Sequence, residues 1–172
     1  YKPLECEEGR ENAEIISQIG DLYVLLKNYD RALEEYEKVL DIDKNHTHSL
    51  SEMSKIYFYL EQYSKALDTS ERLLKTTHNA DYFINHLQIL YKLKYFDKMK
   101  VLYESFDEDL KNNAQILYIM SKTGLYPQEE FLKRAVEKDK TLFQPCFELA
   151  LKYYNDENYK DAKELFQHAL EI

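Results

Sequence analysis

The side chains of this chain with chemistry to offer are five histidines, two cysteines and a scatter of carboxylates. The only close pair of metal-ligand type is His46 and His48 in "HTH". Two imidazoles at i and i+2 could begin a zinc site, but no Cys, Asp or Glu joins them at ligand spacing, so the pair reads as a solvated turn and no metal is expected. Cys6 and Cys146 have no neighbouring cysteine at metal or redox spacing and read as reduced thiols. Gly9, Gly20 and Gly124 form neither GxGxxG nor a P-loop, so no cofactor is expected. His86 lies on an apolar helical stripe, where a partly buried histidine is commoner than a ligand. No serine or cysteine has a base and an orienting group near it in sequence, and the chain does not read as an enzyme.

Charge narrows the partners. The net charge is −9, and −4 of it falls between residues 13 and 46, where eight acids face four bases. No basic stripe follows the chain, which argues against nucleic acid. The acidic runs "ESFDEDL" and "NDEN" read as solvated turns, with recruitment of a basic partner segment as the alternative. No apolar run is long enough to span a membrane. "YKPLECEEGR" has no apolar signal segment, and a cytoplasmic or nuclear setting is expected. "LFQHALEI" breaks off inside a helical pattern, so the sequence reads as part of something longer.

The elements that must position these groups are helices, and they repeat. Tyr29 with Ala32, Tyr63 with Ala66, Phe96 with Met99 and Tyr159 with Ala162 share one internal spacing. Successive pairs stand 34 and then 33 residues apart, and the gap before Tyr159 leaves room for one more unit around Tyr126. A second ladder, Tyr23, Tyr57, Tyr91 and Tyr153, runs beside the first. Within a unit, Ile16, Ile19, Leu22 and Tyr23 mark one amphipathic helix, and Ala32, Tyr36, Val39 and Leu40 mark another. Gly20 costs about 1 kcal/mol against Ala in mid-helix, which predicts a close approach there, with Ala32 as its counterpart.

This unit resembles the tetratricopeptide repeat. Ile16, Ile19-Gly20, Tyr23, Ala32, Tyr36 and Val39 take the places of its pattern, followed by Leu50, Met53-Ser54, Tyr57, Ala66, Ser70 and Leu73. Cys146, Leu149-Ala150, Tyr153, Ala162, Phe166 and Ala169 take them in the last unit. Leu87, Tyr91, Met99, Tyr103 and Phe106 fit less well, and the fourth unit keeps Leu132, Ala135 and Val136 with no clear register for its first helix. Lys44 and His78 stand where the family has proline. The resemblance implies an all-α, right-handed superhelical solenoid of about five helix-turn-helix repeats. The expected units are roughly 13–46, 47–80, 81–108, 109–142 and a truncated 143–172, after an acidic leader over 1–12.

The resemblance also implies where binding occurs. The family's inward-facing first-helix positions fall on Glu14, Ser17, Asp21 and Val24, then on His48, Ser51, Lys55, Phe58 and Tyr59. Later units give Tyr82, Asn85, Ile89 and Lys92, and Gln144, Phe147, Leu151 and Tyr154. Rings among polar groups suit a peptide or helix of a partner protein, although each ring could instead pack on its neighbouring unit. The chaperone-carboxylate clamp of the family is not rebuilt, because Ser17 and Asp21 stand on the first inner helix. The expectation is a non-catalytic protein-binding module. The alternative is a scaffold that self-associates or packs into a larger assembly through its edges. Helical-repeat RNA binding would need a basic groove, which Glu14 and Asp21 oppose.

Overall fold

The computed structural model describes the chain from Leu4 to Ile172, with side chains from Gly9 onward. The described residues form eleven helices and no strand. They are α1 (Leu4–Leu25), α2 (Tyr29–Ile42), α3 (Thr47–Tyr59), α4 (Tyr63–Leu74), α5 (Ala80–Lys92) and α6 (Phe96–Ser105). The remainder are α7 (Glu108–Lys111), α8 (Ala114–Ser121), α9 (Gln128–Lys138), α10 (Phe143–Asn155) and α11 (Tyr159–Glu171). Two compact units result, one ending at Ile89 and one running Leu90–Ile172. Helix α1 covers positions 4–12 of the expected leader; positions 1–3 and the Cys6 side chain lie outside the described residues.

Each long first helix ends in the same turn. Lys27, Glu61, Lys94 and Glu157 all take positive φ, between 57° and 61°. The next residue's amide reaches back five positions: Asn28 to Tyr23, Gln62 to Tyr57, Tyr95 to Leu90 and Asn158 to Tyr153, at 2.8–2.9 Å. This is a Schellman-type end, which closes orphan carbonyls and turns the chain within two residues. Lysine and glutamate sit where glycine is the usual occupant, so the turn is invisible to a search for breakers.

In the first unit α1 packs on α2, α2 on α3, and α3 on α4. Its core includes Ala32, Tyr36, Val39, Leu50, Met53, Ile56, Ala66 and Leu73. The close approach at Gly20 is real, but its partner differs from the expected Ala32. A Cβ on Gly20 would stand 2.6 Å from Cε1 of Tyr36. The ring of Tyr36 therefore fills the space that the glycine leaves, and Ala32 is buried beside it.

In the second unit α8 packs on α9, α9 on α10, and α10 on α11. Helix α8 explains the missing register: Ile116, Leu117, Ile119 and Met120 are all buried, so no polar face marks a period. Asn113 caps its start, accepting from the amides of Gln115 and Ile116. Tyr126 lies in the α8–α9 loop rather than opening the second helix, stacked on Phe131 and edge-on to Tyr103. Gly124, at φ +72°, turns this loop.

Candidate functional site

On α3, His48, Glu52, Lys55 and Tyr59 recur at i, i+4, i+7 and i+11, which puts them on one face. His48, Lys55 and Tyr59 are exposed, Tyr59 by 68%. Tyr59 is nonetheless held, its ring tilted against Tyr29 with centroids 5.1 Å apart. Lys55 pairs with Glu52 at 2.6 Å. Tyr82 and Asn85 on α5 are half-buried. Asn85 accepts from the Ser54 hydroxyl at 3.2 Å, leaving its amide nitrogen to donate.

Three expected members of this face are placed differently. Ser51 and Ile89 are buried, because α3 and α5 turn those positions into the packed interior, and they present no side chain to a partner. Phe58 is half-buried with its ring edge on Tyr63 at 5.6 Å, so it braces the α3–α4 turn.

The histidine pair acquires acidic neighbours that sequence distance concealed. His46 is the N-cap of α3, its Nδ1 accepting from the amide of Ser49, and its Nε2 lies 3.8 Å from Glu14. His48 opens the first turn of α3 rather than lying in a loop. Its Nε2 meets Asp21 at 2.8 Å. The Tyr36 hydroxyl donates to the same Asp21 oxygen at 2.5 Å. Burial first, and this carboxylate second, push the Tyr36 phenol well above its ordinary range, so it remains the donor. Asp21 is thereby committed to two internal partners that join α1, α2 and α3. Among the described residues no group of three His, Cys, Asp or Glu could hold a metal ion.

In the second unit α10 carries Phe143, Phe147, Leu151 and Tyr154 along one exposed side. Phe143 and Phe147 stack with centroids 5.5 Å apart, Phe166 of α11 meets Phe147 edge-on, and Tyr154 meets Tyr159 at 5.6 Å. A cavity of about 320 Å³ lies beside them, lined by Tyr154, Tyr159, Phe166 and Leu170. Phe143 and Leu170 were absent from the expected set. The phenylalanine one turn before Phe147 was the available signal. Lys92 is exposed in this unit, at the end of α5. No helix of the described residues is long and apolar enough to cross a membrane.

The tetratricopeptide-repeat family profile matches residues 13–46. No curated protein matches the chain in sequence. Among solved structures it is similar to PilF of Pseudomonas aeruginosa, at 16% identity and a TM-score of 0.80, over 95% of this chain and 78% of that one. MamA of Desulfovibrio magneticus RS-1 aligns over 93% and 94% of the two chains, at 18% identity and a TM-score of 0.73. YrrB, described as a TPR protein with an unusual peptide-binding site, aligns over 96% and 88%, at 22% identity and a TM-score of 0.63. At these identities the likeness is one of fold.

Proposed function

We propose, for a chain whose residues 13–46 match the tetratricopeptide-repeat profile and whose fold is similar to that of solved tetratricopeptide-repeat proteins, a non-catalytic role in binding a segment of another protein. The segment lies along the exposed face of α3. Tyr59 and Tyr82 offer rings to an apolar side chain, while Lys55 and the Asn85 amide offer donors to backbone carbonyls. The observation that carries this reading is Tyr59, a large ring exposed yet fixed against Tyr29, which loses little freedom on binding. YrrB lends support as a protein of the same fold with a peptide-binding site. His48 and Asp21 satisfy each other and shape the edge of the face rather than grip the partner.

The test is a pull-down from lysate of the source cells, comparing the chain with a Lys55→Ala, Tyr59→Ala variant of unchanged helicity. A partner held by the first and lost by the second supports the α3 face. Capture of the same set by both places binding elsewhere and overturns this site.

A further inference from the structure

One groove is built twice in this chain, once in each unit. In the first unit it lies among α2, α3 and α4, holds about 540 Å³, and is lined by Leu40, Met53 and the buried Tyr57 between two charged walls. In the second it lies among α9, α10 and α11 and holds about 430 Å³. Each residue lining the second stands 96 positions after a counterpart in the first, so Tyr153 answers Tyr57 and Leu149 answers Met53. In both, a lysine amine lies over the tyrosine ring: Lys65 at 5.3 Å from the centroid, and Lys133 at 5.4 Å. These lysines come from opposite walls, for Lys133 stands at the place of Glu37, and Asp161 at the place of Lys65. It is therefore the ring face, and not one wall, that draws a cation.

The two grooves differ in what their charges meet. In the second, Lys133 is matched within the chain by Glu129 at 2.6 Å. In the first, Lys65 makes no ion pair among the described residues, and neither do Glu37, Asp41 and Asp68. Their neighbours Glu34 and Glu35 are already paired, with Arg31 and Lys38. Arg72 is spent on the carbonyl of Lys44 at 3.2 Å. The uncommitted charges of this groove are three carboxylates against the one amine of Lys44. Tyr57 adds a polar group from within. Its side chain is only 8% exposed and lines the groove, yet its hydroxyl makes no hydrogen bond among the described residues, where buried polar groups are normally partnered. Burial first, and Glu37 second, hold this phenol above its ordinary range, so it keeps its proton.

We infer that the groove among α2, α3 and α4 is a second binding site, and that its occupant is an arginine-bearing segment of a partner protein. The guanidinium takes, over the Tyr57 ring, the place that the Lys65 amine holds, with the lining carboxylates as its counter-charges. Its methylenes lie along Leu40 and Met53, as the stem of a long cationic side chain does on apolar surface. An acidic segment would meet three uncommitted carboxylates instead. Met53 and Tyr57 stand half a turn of α3 away from Lys55 and Tyr59, so this site is distinct from the peptide-binding face.

The probe is the capped peptide acetyl-Gly-Arg-Leu-Arg-Gly-amide, titrated into the isotope-labelled chain and followed by NMR. Amide shifts should gather on α2 and α4 around Asp41 and Asp68. Replacing both arginines of the peptide by glutamine should weaken binding at least about tenfold, a loss of about 1.4 kcal/mol. Asp41→Asn with Asp68→Asn should do the same. Lys65→Met should instead strengthen binding about threefold, because it removes the resident cation from the ring. Asp30→Asn with Glu34→Gln takes the same charge from α2 outside the groove, and in physiological salt should alter affinity less than about twofold. Circular dichroism of each variant must match the parent. Absent shifts, shifts confined to other helices, or equal binding of the glutamine peptide overturns the inference. So do equal losses from the two paired carboxylate variants, or weaker binding by Lys65→Met. Lys55→Ala with Tyr59→Ala should leave this binding unchanged, which separates failure here from failure of the peptide-binding face.

Discussion

Gly20 and Tyr36 are fitted to each other: the ring occupies the space where any other residue would place its Cβ, with Cε1, Cδ1 and Cζ all within 2.9 Å of that point. Tyr36 is fully buried and its hydroxyl is tied to Asp21, so the ring has nowhere to retreat.

Gly20→Ala should therefore destabilise the first unit. Overpacking of a tight core costs about 1–3 kcal/mol, and the gain in helix propensity returns about 1 kcal/mol. Urea unfolding should show a lower midpoint for the variant. A midpoint equal to or above the parent's would mean that the ring yields.

Tyr36→Phe keeps the ring against Gly20 and removes its bond to Asp21. The expected loss is about 1 kcal/mol. His48 still holds Asp21, so the α1–α3 link survives. A loss as large as that of Tyr36→Ala would show that the hydroxyl, rather than the ring, organises the unit.

The same tyrosine sets an alkaline limit. Its folded-state value is raised, by burial and then by Asp21, so the unfolded chain ionises first as the pH climbs. Stability should be full below the ordinary tyrosine value near 10 and fall above it, because the folded state holds a proton that the unfolded state has released. Tyr57, Tyr103, Tyr118 and Tyr126 are raised as well, burial being the foremost cause in each. Unfolding midpoints measured from about pH 9 to about pH 11 should decline, and Tyr36→Phe should flatten part of that slope. An unchanged slope would remove Tyr36 from the account.

The positive-φ residue at the end of a first helix offers a gain. At Glu61, φ is 58°, a conformation that costs a non-glycine residue about 1–2 kcal/mol. Glycine relieves that cost but enlarges the unfolded ensemble by about 0.4–1 kcal/mol. Glu61→Gly should stabilise modestly, and adding Lys27→Gly should stabilise further. Thermal unfolding decides it, and a lower midpoint for Glu61→Gly would contradict the strain.

Cys146 is fully buried, and burial, with Asp139 beyond it, pushes its thiol above the ordinary range. It should resist alkylation in the folded protein and react on unfolding, as mass spectrometry of digests would show. Rapid native labelling of Cys146 would mean that α10 opens locally.

The repeat was legible because its signals are local. Tyr29, Tyr63, Phe96 and Tyr159 each open a second helix, as their spacing predicted. Helix α8 was illegible for the opposite reason: Ile116, Leu117, Ile119 and Met120 are all buried, and the one narrow open side, at Gln115 and Tyr118, is too short to mark a period. On the face expected to bind, the structure leaves His48, Lys55 and Tyr59 at the surface and takes Ser51 and Ile89 inside. Which first-helix residue faces outward depends on the helix's rotation against its neighbours, and a shift of one position buries a side chain such as Ser51 or Ile89. The stacked rings of α10 were half visible in Phe147, yet only their exposure distinguishes them from core.

Spacing along the chain was thus enough to read the all-helical repeat architecture where the pattern is regular, since this follows from which residues share a helix face, and it did not reach α7 or α8. Tertiary structure alone decided what meets across helices. It set Tyr36 rather than Ala32 against Gly20 and brought Asp21 to His48 across 27 positions. Helix periodicity orders residues along one axis. The rotation and offset of one helix on another come from how side chains fill the space between them, and neither is written in the spacing.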